Sequence, residues 1–195
     1  MKFVFIDAEY TGEHARTTLV SLGLVTLEND ELYLTLNDYA EDQVTDWLRE
    51  NVLNDIPLDG RLDSKSAYAV MAPWLEAYSA GERVNVVSAG LGQDWMLMAE
   101  LYKFGYPEAK YFHSLLHLPV FLNHGGHLDL RTLFHATGHD PDLNRFEFAG
   151  KNHIPGKRHN ALHDAHLARE CFLKLLGAPE LHRFAACVDS KYHQS

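Results

Sequence analysis

The chain holds 195 residues, 46% of them hydrophobic, and its 27 acidic against 17 basic side chains leave a formal net charge of −10 at neutral pH. That length and apolar content suit one domain over residues 1–195 with a full core, and no apolar run approaches the ~20 residues of a bilayer span, so no membrane is expected. The acidic balance counts against a protein that clings to long stretches of nucleic acid, which would show a basic face.

In chain order, residues 2–9 read as a strand with apolar side chains on both faces, the mark of a central strand. Residues 19–25 and 32–36 read as two further strands around the turn formers Glu28, Asn29 and Asp30, giving a meander. Residues 41–53 carry helical periodicity through Val44, Trp47, Leu48 and Val52, and 54–63 is a linker. Ser64 or Ser66 is expected to cap a helix running through Tyr68, Trp74 and Tyr78. A strand over 83–89 feeds a helix containing Asp94, and 128–130 forms a short strand before a helix near 132–137, with Asp129 either its N-cap or a further active-site carboxylate. Residues 138–158, rich in Asp, Asn, Pro and Gly, read as a long loop; 161–175 is helical, and 177–195 a short helix and polar tail. This order predicts an α/β fold with a mixed sheet covered on both sides. Cys171 and Cys187 form no C-x-x-C pair, and a domain of this size needs no disulfide, so a reducing cytoplasm is the expected location.

The chemistry is announced by acids where apolar residues belong. Strand alternation puts Asp7 and Glu9 on one face, about 7 Å apart, in the row begun by Phe3 and Phe5. Two such carboxylates repel unless a proton or cation lies between them. Asp94 falls on the helical stripe of Leu97, Met98 and Leu101. Asp164 falls at the edge of the stripe Ala161, Ala165, Ala168, Phe172 and Leu175, with His163, His166, Glu170 and Lys174 expected to point away. A lone first-turn Asp is usually a cap or dipole partner. Asp7, Glu9, Asp94 and Asp164 together, with His159 five residues before the last, read instead as one site.

Taken in order, Asp7-Ala8-Glu9, a single Asp94 opening a helix, and His159-x4-Asp164 resemble the D-x-E, D and H-x4-D motifs of the DEDD 3'-5' exonucleases of the histidine subtype, relatives of ribonuclease T and of proofreading exonucleases. The opening from Asp7 to Thr18 and the Trp47-x4-Val52-Leu53 segment are similar to the small bacterial and phage exoribonucleases of that family. The resemblance implies a ribonuclease H-like sheet, two divalent cations, and release of nucleoside 5'-monophosphates from single-stranded RNA or DNA 3' ends or overhangs, with RNA preferred. It implies that Asp7 bridges both ions, that Glu9 and Asp164 hold the ion beside the attacking water, that Asp94 positions the second, and that His159 is the general base. An all-carboxylate ligand set favours Mg2+ or Mn2+. Relatives often form homodimers, and no interface is legible here.

The chain departs from the family where the terminal nucleotide would be gripped. Tyr10 separates the D-x-E element from Thr11, and Gln93 replaces the usual Phe before Asp94; because residues beside these acids contact the terminal nucleotide in the family, the resemblance makes Tyr10, Thr11 and Trp95 substrate-binding candidates. Tyr10 and Trp95 are candidate stacking surfaces or core aromatics. Lys151, Lys157 and Arg158 stand where a substrate backbone would pass, or are solvent-facing filler. The pairs His113 and His117, His135 and His139, and His159 and His163 have zinc-like spacing, but Pro119 and Gly138 interrupt two of them and no cysteine cluster accompanies them. Besides the exonuclease, three readings stay open: a DNA-directed enzyme of the same family, a non-catalytic protein that binds nucleic-acid ends, and a related nuclease that cuts inside strands, which product lengths would distinguish.

Overall fold

The computed structural model describes residues 1–90, 92–123, 127–150, 154, 156–186 and 188, leaving Lys151, Cys187 and most of the expected polar tail outside the described residues. Strands β1 (Lys2–Tyr10), β2 (Leu19–Thr26) and β3 (Glu31–Thr35) form the expected meander. Helices α1 (Asp46–Asn51) and α2 (Ser64–Ser79) follow, then β4 (Val84–Ser88) and α3 (Gln93–Glu100). Two four-residue helices, α4 (Ser114–His117) and α5 (Val120–Asn123), precede β5 (His127–Asp129) and α6 (Leu130–Ala136). The chain continues through α7 (Arg145–Ala149), α8 (Ala161–Leu175) and α9 (His182–Ala185).

The sheet has five strands in the order β3-β2-β1-β4-β5; β1 and β2 pair antiparallel, as do β2 and β3, whereas β4 runs parallel to both β1 and β5. This is the α/β, ribonuclease H-like mixed sheet anticipated above. Alternation sorts its side chains into two cores. Phe3, Phe5, Val25, Val87 and Ala89 pack with Leu130, Phe134, Ala165, Ala168 and Phe172 on one face. Val4, Ile6, Ala8, Leu22, Leu24, Val84 and Val86 pack with Met71, Leu75, Leu97 and Met98 on the other. Phe172 anchors the first core, its ring centroid 5.1 Å from those of both Phe3 and Phe5. Side chains of this size stabilise by roughly 1.5–3 kcal/mol each when fully buried. A smaller cluster of Val20, Leu48, Val52, Leu53 and Ile56 fastens α1 against β2.

Several local readings change. The helical stretch at 41–53 is broken into a 3-10 turn, α1 and a second 3-10 turn; Val44, Leu48, Val52 and Leu53 pack against Val20, whereas Trp47 is exposed. Asp63, not Ser64 or Ser66, caps α2 by accepting from the Ser66 backbone N–H at 2.7 Å. Asp129 does cap α6, accepting from Arg131 N–H at 2.9 Å. The expected loop over 138–158 contains α7, capped by Asn144. His163 and His166 do not point to solvent: both are buried, and His166 Nε2 lies 2.9 Å from Glu31 Oε2.

The α8 helix approaches the sheet where β2 lacks a side chain. Gly23 pairs with Asp7, and a Cβ at that position would lie 2.3 Å from the Ala161 carbonyl oxygen, inside hard contact with backbone. Gly23→Ala should therefore push the start of α8 off the sheet, lowering stability by about 1–3 kcal/mol. Urea denaturation measures this, and an unchanged midpoint would show that the contact does not set the helix position.

Candidate active site

The parallel strands β1 and β4 end on the same edge, and α3 begins just beyond β4; ligands of open α/β sheets gather at such carboxyl ends. Asp7 and Glu9 project from β1, which shifts register immediately after Glu9. Asp164 arrives from the first turn of α8, whose start is fixed by Asn160: its Oδ1 accepts from His163 N–H at 3.2 Å, and its amide nitrogen lies 3.2 Å from the Tyr33 hydroxyl. The three carboxylates each offer an oxygen, all within 4.8 Å of one another. Among the described residues this is the one group of three acids or histidines close enough to share a metal ion.

Asp94 approaches from α3 and stands outside that group. It is buried, its Oδ2 has no hydrogen-bond partner, and a Cβ on Gly90 would lie 2.3 Å from that oxygen, so a larger residue there would displace the Asp94 carboxylate. Burial pushes its carboxyl up to about 6, although hydrogen bonds from the Ala8 backbone, the Arg145 charge and a hydrogen bond from Ser88 pull the other way. Glu9 is pushed up to about 8 by burial and then by the charges of Asp164 and Asp94. Asp7 is raised well above the carboxylate range by burial first, then by Asp94, Asp164 and Glu9, with Arg145 opposing. Crowded carboxylates that hold protons near neutrality, oxygen-only donors and an orphaned buried oxygen are the features a hard divalent cation would relieve. The residues therefore fit such an ion.

His159 enters from the segment before α8 in a left-handed conformation, φ 65°, costly for a residue with a side chain. The strain is offset by its backbone N–H, which donates to Asp164 Oδ2 at 3.0 Å, and by edge-on packing of its ring against Trp47 at 5.1 Å between centroids. Its imidazole is shifted down, by burial first and then by the Arg158 charge, which keeps it neutral at pH 7.

A cavity of about 450 Å³ collects Asp7, Glu9, Asp94, Asp164 and His159 along one wall, with Tyr10, Thr11 and Trp47 among its lining. Tyr10 faces the acids, and burial and their charges push its phenol up to about 12, leaving it an O–H donor. Thr11 is buried, its hydroxyl donating to Gln43 Oε1 at 2.6 Å and accepting from Thr18 N–H at 2.9 Å, so it braces the loop after β1. Trp95 packs on the core below α3 and lies parallel to His127 at 6.3 Å, away from the cavity. Lys157 is exposed and paired with Asp55 at 2.6 Å, and does not line the cavity. Arg158 lines a neighbouring cavity beside Asp164. The zinc-spaced histidines are engaged otherwise: His117 Nδ1 accepts from His113 N–H at 2.8 Å, and His139 Nδ1 lies 3.0 Å from the Thr137 hydroxyl.

Two cations on the cavity wall escaped the sequence reading, Arg131 at the start of α6 and Arg145 at the start of α7. Arg145 donates to the Ala89 carbonyl at 3.2 Å. Its place after Asn144, an N-capping residue in a stretch otherwise full of turn formers, was the available signal.

No family model matches the chain, and no curated protein matches it in sequence. A solved structure titled cell-death related nuclease 4 (CRN-4) superposes with a TM-score of 0.61 over 88% of this chain at 15% identity. The chain spans 62% of that nuclease's length. At this identity the likeness establishes the shared fold.

Protonation of the acids makes the stability of the cation-free protein depend on pH. Asp7 and Glu9 bind protons more tightly in the folded than in the unfolded chain, so their contribution is intact below the ordinary carboxylate range near pH 4 and is lost as pH rises toward about 8. In EDTA, Glu9→Gln should gain Tm over the parent progressively across that window, and saturating Mg2+ or Mn2+ should erase the parent's deficit. Thermal melts over a pH series measure this; a Tm difference independent of pH would refute the crowding of charge.

Proposed function

We propose that this chain is a cation-dependent 3'-5' exonuclease, with single-stranded RNA 3' ends as preferred substrate and nucleoside 5'-monophosphates as products. The observation that carries the reading is the convergence of Asp7, Glu9 and Asp164 within 4.8 Å, with His159 bonded to the last of them. The shared fold with a solved nuclease and the motif order support it. Asp7, Glu9 and Asp164 would hold one ion, and Asp94, with its unpartnered oxygen, would help hold a second. Divalent cations supply charge neutralisation of the phosphate and lower the pKa of water.

The protein's own groups carry the remaining steps. His159, neutral at pH 7, accepts the proton of the attacking water, and Trp47 restrains the ring that does so. Arg145 offers its guanidinium group toward the phosphate, where its planar fork matches the phosphate oxygens. Tyr10 is placed to donate its phenolic O–H to the terminal nucleotide. Attraction concentrated at this edge reconciles substrate binding with a net charge of −10, and implies a weak, salt-sensitive grip on a few terminal nucleotides.

Digestion of 5'-labelled RNA and DNA of one sequence with Mg2+, Mn2+ or EDTA tests the reading. The expected result is a cation-dependent ladder shortening from the 3' end, faster on RNA and absent for Asp164→Ala. His159→Ala should lose at least ~100-fold in turnover while still binding cation, whereas Asp7→Ala loses both. Normal turnover by His159→Ala would remove it as the base. No cleavage by folded, cation-loaded protein would favour an end-binding role.

A further inference from the structure

A second cavity, of about 600 Å³, opens beyond Asp164 and shares Arg131, Arg145 and Asp164 with the acid-lined one. Its lining brings together Arg131 from α6, Arg145 from α7 and Arg158 from the segment before α8. Three guanidinium groups converging from three elements run against the composition of a chain with ten more acidic than basic side chains, 27 against 17. Phe146, also on that wall, is 43% exposed, an aromatic face presented beside the arginines. Arginine forks with an adjacent aromatic face are suited to a phosphate and its base in single-stranded nucleic acid.

We propose that this cavity is a nucleotide subsite, taking the phosphodiester next to the one held at the acids on Arg131 and Arg158 and stacking that nucleotide's base on Phe146. The inference rests on the nuclease reading and extends it to the length of strand the protein grips. Because the two cavities share a wall, a ligand of two nucleotides engages both, and a mononucleotide engages one. Arg145, fixed to the Ala89 carbonyl at the shared wall, serves either phosphate. Arg131 is meanwhile paired with Asp142 at 3.2 Å, with 38% and 76% of the two side chains exposed. Such an exposed pair is weak, and a strand phosphate would displace the carboxylate.

The test is calorimetric titration of the full chain with adenosine 5'-monophosphate and with the di- and trinucleotides pApA and pApApA, in Ca2+ to suppress turnover. The dinucleotide should bind about 10-fold tighter than the mononucleotide, with a smaller gain on adding the third. Arg158→Ala and Phe146→Ala should narrow that gap. Asp142→Asn should widen it about 2-fold or more by releasing Arg131, a gain that damage to the fold does not produce. Equal affinity for mono- and dinucleotide, or a gap that none of the three substitutions moves, would overturn the subsite. Digestion of labelled RNA by the parent protein separates the two readings: strands shortened without a gap sink the subsite alone, and a gap without shortening sinks the exonuclease alone.

Discussion

The backbone contact between Gly23 of β2 and Ala161 at the start of α8 is the constraint on which the site depends. It joins the strand that pairs with Asp7 to the helix that carries Asp164, with no side chain between them. Phe172, about three turns beyond Ala161 along α8, buries against Phe3 and Phe5 and sets the helix's other end. Two apolar contacts and one missing methyl group thus fix the relation of carboxylates that would otherwise repel. The core provides the stability against which the acids are held together at the acid-lined edge of the sheet.

Electrostatics at this edge follow from the same packing. Burial raises the carboxyls of Asp7, Glu9 and Asp94, and each also feels the charge of other acids. Arg145 is the opposing influence common to Asp7 and Asp94, and it is delivered by α7, which docks on α8: the Arg145 carbonyl accepts from Cys171 Sγ–H at 3.4 Å. A chain that is acidic overall therefore keeps arginines at the one place where an anionic ligand would meet its acids.

Much of this was legible because it rests on period. Alternation along β1 placed Asp7 and Glu9 together, and the helical stripes of α3 and α8 placed Asp94 and Asp164, since those faces are set by the core. The mixed character of the sheet followed from a meander and an alternating remainder, whereas its strand order is set by pairings between distant segments. What stayed hidden depends on contacts between distant segments or on elements too short for a period. Helix α7 has five residues, fewer than two turns, amid Gly138, Pro141 and Gly150, so its residues read as loop and Arg145 was missed. His163 and His166 looked outward because helical geometry alone leaves them off the main stripe; the sheet's β3 edge, with Glu31, reaches round to cover His166. Thr11 looked like a substrate contact because it follows an acid motif, yet its hydroxyl is consumed by Gln43 and the Thr18 backbone, a loop closure that spacing does not encode.

The position of His159 links these points. Its backbone is left-handed, its N–H is bonded to Asp164, and its ring is packed on Trp47, which α1 carries and the Val20 cluster fastens to β2. The His159 imidazole and the Asp164 carboxylate are thus held from opposite sides by the same strand: β2 receives α8 through Gly23 and α1 through Val20. A shift of either helix would move the imidazole relative to the carboxylates, and under the proposed function the loss would exceed that of any one contact because effective molarity depends on their mutual placement. The strained φ at His159 is what this arrangement costs, since a relaxed backbone would turn its N–H away from Asp164.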